Sequence, residues 1–219
     1  LAPQDGLRSN RVNDIEVAAD GTVWAATSLG LSRLVPGEDA WHTISPEVSP
    51  GMPARVVTAV EPSADGYLWV GFAQEWDPNL YNAKARTNGA FKGGGIARFR
   101  PADGTWDKAF RPVFERTADG EKFTHIPSEN VTELELSSAG VLYVGTRPYF
   151  VWDLNACGDS ECISAPGYWV WTGGGLAGFN PADSKWISWL PTGGGACFSD
   201  HITDLEPDVL QRGRCLVLG

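Results

Sequence analysis

The sequence predicts an all-β protein built from repeated four-stranded antiparallel sheets, and three observations support that prediction. The 219 residues are only 20% charged but include 26 Gly, 15 Pro and 10 Trp, a composition typical of a turn-rich globular protein. A hairpin-like string recurs along the chain, and a block with a fixed Gly-to-Trp interval follows three of its copies. Such internal repetition indicates one structural unit copied several times.

The first repeated string has the pattern of a β-hairpin. Each copy is an alternating apolar segment, a tight turn with Gly, and a short apolar segment that contains an aromatic or other large residue. Each copy therefore predicts two antiparallel strands, A and B. The copies lie at 12–27, 57–71 and 131–146, with a fourth at 202–219.

The second repeated block predicts the other two strands of each unit. It begins with Gly and ends 11 residues later with Trp at 30–41, 95–106 and 175–186. Pro followed by an acidic residue marks a turn between strands C and D, with the Trp on the outer strand D. Four-stranded repeats with aromatic signatures are typical of β-propeller blades. We therefore predict an all-β protein, a β-propeller of four-stranded antiparallel blades.

The repeats predict one partial propeller with three full blades and half of a fourth. Because a propeller closes with about four to eight blades, this ring is incomplete. Either the chain is a piece of a longer one, or a second copy or another protein completes the ring. We favour the first reading, because nothing near the N-terminus supplies the missing strands C and D. The expected bounds within 1–219 are about 11–45, 56–110, 130–191 and 201–219.

The repeat resembles that of a known family, the two-component-regulator propeller repeat. The matching residues are the Asp-Gly turn, the following Trp and Gly, the Gly-Leu opening of strand C and the closing Pro and Trp, and the lead-in at 5–10 (DGLRSN) also matches. The resemblance covers most of 5–219 and implies seven-bladed propellers in the periplasmic sensor halves of hybrid histidine kinases. It therefore implies an extracellular or periplasmic sensing role.

Composition and motifs exclude several other classes of function. A net charge of −10 argues against nucleic-acid binding, which needs a basic surface. No apolar run reaches the roughly 18 residues of a membrane span. The sequence has no HExxH, zinc-ligand spacing or nucleophile elbow, and its Gly-rich runs lack the context of a phosphate loop. We therefore expect a non-enzymatic protein without a cofactor or metal.

Loop lengths predict which face of the propeller binds a ligand. The A-to-B and C-to-D turns lie on one face and are short, whereas the B-to-C and D-to-A connections lie on the other. Two long insertions, at 74–92 in blade 2 and 147–172 in blade 3, fall in B-to-C connections. Long loops on a rigid scaffold commonly carry binding sites. We call this the decorated face.

The insertions are rich in aromatic residues interspersed with Asp, Asn and Arg. Apolar ring faces stack on the C–H surfaces of sugars, and the polar groups hold hydroxyls, so the pattern suits a glycan or a similar ligand. The alternative is that the aromatics pack the insertions onto the propeller, and a protein partner also fits such residues. The candidate ligand-binding residues are Trp76, Asp77, Tyr81, Arg86, Arg147, Tyr149, Trp152, Tyr168 and Trp169.

Two of the four cysteines are close enough in sequence to close a small ring. We predict a Cys157–Cys162 disulfide, which would stiffen the second insertion in an oxidising compartment. A metal bound there is the lesser alternative, because no His lies nearby. Cys197 and Cys215 are expected a strand length apart, so no bridge is predicted between them.

An aligned glutamate occurs in strand A of every copy: Glu16, Glu61, Glu135 and Glu206. Recurrence at one repeat position indicates architecture, such as a hydrogen bond to a neighbouring blade. A ring of carboxylates that holds a cation in the central channel is the alternative.

Together these patterns predict a non-catalytic recognition module, the ligand-sensing part of a larger secreted or periplasmic protein. It would bind a glycan or small extracellular ligand through the decorated face. One alternative is an assembly role, in which the insertions dock a protein subunit. A weaker one is a propeller enzyme similar to streptogramin lyases, with His125 and His201 as candidate catalytic residues.

Overall fold

The fold is an open section of a β-propeller, as the repeats predict. A computed structural model describes residues 7–82, 87–117, 120–147, 149–153, 168–172 and 174–189. These residues form three four-stranded antiparallel sheets, here called blades 1 to 3, and two two-stranded hairpins. The half blade expected at 201–219 lies outside the described residues. No helix in the described ranges is long and apolar enough to cross a membrane.

The strands of each blade are hydrogen-bonded in chain order, from A to D. Blade 1 consists of β1 (Val12–Val17), β2 (Val23–Thr27), β3 (Gly30–Leu34) and β4 (His42–Ile44). Blade 2 consists of β5 (Val57–Pro62), β6 (Leu68–Asn82), β7 (Thr87–Arg100) and β8 (Thr105–Phe110). A hairpin follows, formed by β9 (Val113–Thr117) and β10 (Gly120–Thr124). Blade 3 contains β11 (Val131–Leu136) and β12 (Leu142–Thr146), then the hairpin of β13 (Tyr149–Asp153) and β14 (Tyr168–Thr172), then β15 (Gly175–Asn180) and β16 (Lys185–Trp189).

The A-to-B turns explain why the same hairpin forms three times. In each turn, a glycine N–H donates to the carbonyl three residues earlier: Gly21 to Ala18 at 2.8 Å, Gly66 to Ser63 at 3.0 Å and Gly140 to Ser137 at 2.8 Å. All three glycines have φ between +77° and +83°, a conformation that glycine adopts without steric cost. The shared turn chemistry therefore sets the same register of strands A and B in each blade.

Apolar side chains pack between successive blades and form two cores. The first lies between blades 1 and 2 and includes Trp24, Leu31, Val60 and Phe72. The second lies between blades 2 and 3 and includes Trp69 and Phe179, with ring centroids 5.6 Å apart. Trp24 and Trp69 occupy the same repeat position, both are buried, and each lies in a core between two blades.

Polar contacts between neighbouring A strands link the blades at the centre of the propeller. The side-chain amide of Asn13 donates to the Val57 carbonyl at 2.6 Å. The carboxylate of Asp14 accepts the Val60 N–H at 2.8 Å. The Glu61 carboxylate accepts a hydrogen bond from the backbone of Leu136 in the next blade, which is the architectural role predicted for the recurrent glutamates.

One face of blade 1 has no cover among the described residues, whereas the equivalent faces of blades 2 and 3 are covered. Ile15 is 56% exposed, whereas its repeat equivalents Val60 and Leu134 are 1% and 2% exposed. Blade 1 covers Val60 and blade 2 covers Leu134, but no described blade covers Ile15. This apolar face of blade 1, which we call the open face, marks one end of the described part of the propeller.

Candidate functional site

The first insertion forms a β-hairpin that extends blade 2. β6 is 15 residues long and β7 is 14, against five or six for most other strands. Their pairing continues past Phe72 and Gly95, which end the blade, and reaches Asn82 opposite Thr87. The insertion at 74–92 is therefore an extension of strands B and C. We call it the blade-2 hairpin.

Three consecutive glycines set the direction of the blade-2 hairpin. Gly93, Gly94 and Gly95 have φ values of +76°, +87° and +87°, in the left-handed region that other residues rarely adopt. A Cβ on Gly94 would lie closer than 3.0 Å to the Glu129 carbonyl oxygen, and one on Gly93 would lie 2.7 Å from the Cβ of Ala54. The Gly95 N–H donates to the Glu129 carbonyl at 2.8 Å. The glycines let β7 bend where it passes close to both neighbouring connections.

A polar network fixes the base of the blade-2 hairpin to the connection before blade 3. The Gln74 N–H donates to the Asn130 side-chain oxygen at 2.9 Å, and the Gln74 side-chain amide donates to Glu129. Burial raises the pKa of Glu129 above its ordinary value. Asn130 opens a glycosylation sequon, but its side chain is buried and hydrogen-bonded. Asn130 is therefore a structural residue.

Two aromatic side chains form an exposed pair on the blade-2 hairpin. Trp76 and Phe91 are opposite each other in register, and their ring centroids are 5.1 Å apart with an edge-to-face geometry. Trp76 is 50% exposed and Phe91 is 41% exposed. The Trp76 ring also lies against Gly89, where a Cβ would collide with it. The pair is thus held in place by the hairpin while much of its surface faces solvent.

Asp77 stabilises the hairpin itself. Its carboxylate accepts the Asn79 N–H at 2.9 Å and the Lys92 ammonium at 2.8 Å. Hydrogen bonding from Lys92 lowers the pKa of Asp77, so the carboxylate is ionised at neutral pH. Tyr81, near the end of β6, is exposed. Trp76, Asp77 and Tyr81 therefore lie on one hairpin arm, and Asp77 already has partners within that hairpin.

The second insertion also begins and ends as a hairpin. β13 and β14 pair between β12 and β15, so they leave blade 3 at the same point at which the blade-2 hairpin leaves blade 2. Trp152 lies opposite Trp169 in register, and Asp153 lies opposite Tyr168. Tyr149 pairs with Thr172 at the base of the hairpin.

Several of the predicted site residues lie at the edge of the described residues or outside them. Arg147, which directly follows β12, is exposed. Arg86, the predicted Cys157–Cys162 disulfide and the candidate catalytic residue His201 lie outside the described residues. His125 stacks on Phe110 at 5.9 Å and contacts the Trp186 ring at 5.6 Å, next to the outer strands β8 and β16.

A groove lies between the blade-2 hairpin and the connection that links blade 1 to blade 2. Its volume is about 580 Å³. Leu80 and Phe91 line it from the hairpin and Met52 lines it from the connection. Its charged lining residues are Arg55, Glu75, Lys92 and Arg111. Because it borders the hairpin and two D-to-A connections, the groove belongs to the decorated face.

Sequence reasoning missed the charged residues of this groove. Arg55 lies in the short D-to-A connection before blade 2, and Arg111 lies directly after β8. The predicted topology already assigned both connections to the decorated face, so the charged residues in them could have been identified as candidates from the sequence. A second cavity, of about 430 Å³, lies between Pro101 and Gly104 in the C-to-D turn of blade 2 and Ser49 and Pro50 in the connection from blade 1.

Acidic side chains of the A strands lie near one another at the centre. Burial, together with the neighbouring Glu135 and Glu16 carboxylates, raises the pKa of Glu61 from 4.5 to about 8. Burial and the neighbouring Asp14 also raise the pKa of Glu16. Within the described ranges, no group of three or more His, Cys, Asp or Glu side chains has an arrangement suited to a metal ion.

Comparisons with known proteins find distant structural likeness. No family model matches the chain, and no curated protein does. The extracellular domain of the BT4673 one-component system of B. thetaiotaomicron is 13% identical, with a TM-score of 0.39, over 88% of this chain and 31% of that one. The extracellular domain of the BT3049 hybrid two-component system of the same organism is 13% identical, with a TM-score of 0.31, over 85% and 35%.

A structure described as a gluconolactonase is 14% identical, with a TM-score of 0.35, over 88% of this chain and 66% of that one. The chain thus spans about a third of the length of the two extracellular domains that it matches. The fold assignment itself rests on the three blades of this chain, each a four-stranded antiparallel sheet.

Proposed function

We propose that this protein is a non-catalytic recognition module that works outside the cytoplasm and binds a carbohydrate on its decorated face. The observation that carries the proposal is the exposed Trp76–Phe91 pair, with Phe91 forming a wall of the groove. Exposed ring faces beside polar side chains suit the alternating apolar and hydroxyl surfaces of sugars. The resemblance to two-component-regulator repeats supports a sensing role within a larger protein.

The test measures carbohydrate binding to the whole chain and to two variants. A glycan array identifies ligands, and titration calorimetry then compares the wild-type protein with Trp76→Ala. We expect the variant to lose at least about tenfold in affinity, because a stacking platform is removed. Its melting temperature should fall by only about 2–4 °C, because Trp76 is half exposed.

Leu29→Ala is the matched control. Leu29 is an exposed apolar residue in the B-to-C turn of blade 1, so it shares the decorated face but lies away from the groove. This variant should bind as the wild type does. Equal affinities for Trp76→Ala and the wild type, or an array on which no carbohydrate binds, would contradict the proposal.

A specific observation favours assembly with another blade as a second function. The open face of blade 1 exposes Ile15 at a position that is buried in blades 2 and 3. An apolar surface of this kind is stabilised by another sheet, supplied by further blades of a longer chain or by a partner. Light scattering across a concentration series tests this, and a monomer at every concentration argues against self-assembly.

A further inference from the structure

The groove beside the blade-2 hairpin gathers positive charge on a strongly acidic protein. Arg55, Lys92 and Arg111 line it, and Glu75 is the single acidic side chain among its described lining residues. The chain as a whole has a net charge of −10. A local cluster of cations on such a surface attracts an anionic group.

The acidic residue of the groove is already engaged. The Glu75 carboxylate accepts the Val56 N–H at 3.0 Å, a hydrogen bond that ties the blade-2 hairpin to the connection from blade 1. Glu75 therefore has a structural role that explains its presence among the cations.

Each of the three cations has an acidic neighbour. Arg111 lies near Glu129, and the other two cations form ion pairs that a ligand can displace. Arg55 pairs with Glu47, and Lys92 pairs with Asp77 at 2.8 Å. The side chains of Arg55, Glu47 and Lys92 are about half exposed to solvent, where an ion pair contributes little to stability. Lys92 and Arg55 are also close enough to repel each other, since Arg55 opposes the rise in the pKa of Lys92 that Asp77 causes. A carboxylate placed between them would relieve that repulsion.

The same groove offers an apolar surface next to its charges. Phe91 and Leu80 are partly exposed along the hairpin side, and Met52 and Ala54 form a buried floor. A ligand that fits must present an apolar patch beside a negative charge. A sugar acid has this combination, because its ring carries C–H faces, hydroxyls and a carboxylate.

We infer that the groove selects carbohydrates that carry a carboxylate, with Phe91 against the sugar ring and Lys92, Arg55 and Arg111 around the acid. This inference rests on the proposed carbohydrate-binding function and narrows it to acidic sugars. A carboxylate bonded by charged donors binds more strongly than a neutral group at the same position. The affinity should also fall as salt is added, because exposed charges are screened.

The experiment compares uronate oligosaccharides with their methyl esters, which keep the sugar stereochemistry and remove the charge. Titration calorimetry on the 219-residue chain is expected to give at least about tenfold tighter binding of the acid form of the best ligand. Lys92→Gln and Arg111→Gln should each weaken binding of the acid about tenfold and change binding of the ester less than twofold.

Lys185→Gln is the matched control, because Lys185 is an exposed lysine paired with an aspartate, Asp183, at 3.2 Å in blade 3. It should leave both affinities unchanged. If the uronate and its methyl ester bind with equal affinity, and Trp76→Ala weakens both, the inference is overturned but the carbohydrate-binding function stands. Tighter binding of an acidic peptide, polyglutamate, than of any uronate also overturns it. Absence of binding to every carbohydrate, charged or neutral, overturns the proposed function together with the inference.

Discussion

Glu61 provides a direct test of the packing between blades, because its environment disfavours its charged form. The carboxyl group lies on the inner strand of blade 2, accepts a hydrogen bond from Leu136 of blade 3, and faces Glu135 and Glu16. Burial, followed by these two carboxylates, raises its pKa from 4.5 to about 8. Glu61→Gln removes the charge and keeps an oxygen that can accept the same hydrogen bond.

The sign of the effect follows from proton binding. Below pH 4.5 the group is protonated in both the folded and the unfolded chain, so its full contribution to stability is present. Between pH 4.5 and about 8 only the folded chain holds the proton, so the free energy of unfolding decreases as the pH rises. Above about pH 8 that contribution has been lost.

The size of the effect has a clear upper limit. The difference between a pKa of 4.5 and about 8 corresponds to roughly 5 kcal/mol at 1.36 kcal/mol per pH unit. Because Glu61 is partly accessible to solvent, screening reduces this to about 1–2 kcal/mol. Glu61→Gln should therefore gain about 1–2 kcal/mol over the wild type between pH 5 and pH 9.

Urea unfolding at several pH values measures this difference, and urea adds no ions that screen the charges. Asp39→Asn, at an exposed position of blade 1, is the control for the loss of one carboxylate. A Glu61→Gln difference that stays constant from pH 5 to pH 9, or that shrinks as the pH rises, would refute the reasoning.

Two further predictions concern the glycine bend and the open face. Gly94→Ala should destabilise the protein by about 2–4 kcal/mol, because the new Cβ would collide with the Glu129 backbone. Gly37 also has a positive φ, +86°, but a Cβ there would have nothing within 4 Å, so Gly37→Ala should cost only about 1 kcal/mol. Equal losses of stability for the two variants in thermal unfolding would contradict this explanation. Ile15→Asp should leave the melting temperature of the monomer nearly unchanged, whereas Val60→Asp should prevent folding, because only Val60 is buried. Similar losses for both, measured by circular dichroism, would show that Ile15 is covered.

Repetition explains why the blades could be predicted. A Gly turn and an alternating apolar strand are local signals, and three copies of each reinforce one another. The contact of Glu61 with the next blade was predicted from the recurrence of the glutamates, and the equivalent residues Trp24 and Trp69 are both buried. Local patterns of this kind encode the strands and the faces that pack.

The site was harder to predict, because it depends on contacts between segments that are distant in sequence. The hairpin of β9 and β10 was not predicted, and the described connection between blades 1 and 2 contains no equivalent of it. Arg55, Lys92 and Arg111 come from three different connections, and the bend at 93–95 brings their segments together. The sequence places Trp76 in the insertion, but its contact with Phe91 depends on the cross-strand register.

Hydrogen exchange with and without a bound carbohydrate tests most directly whether the decorated face binds the ligand. The ligand should slow exchange in the blade-2 hairpin, at 74–82 and 87–95, and in the connection at 46–56 that forms the other side of the groove. Blade 1 strands and the C-to-D turn at 101–104 should exchange as before. Protection confined to that turn or to the inner A strands, with the hairpin unaffected, would contradict the proposed site.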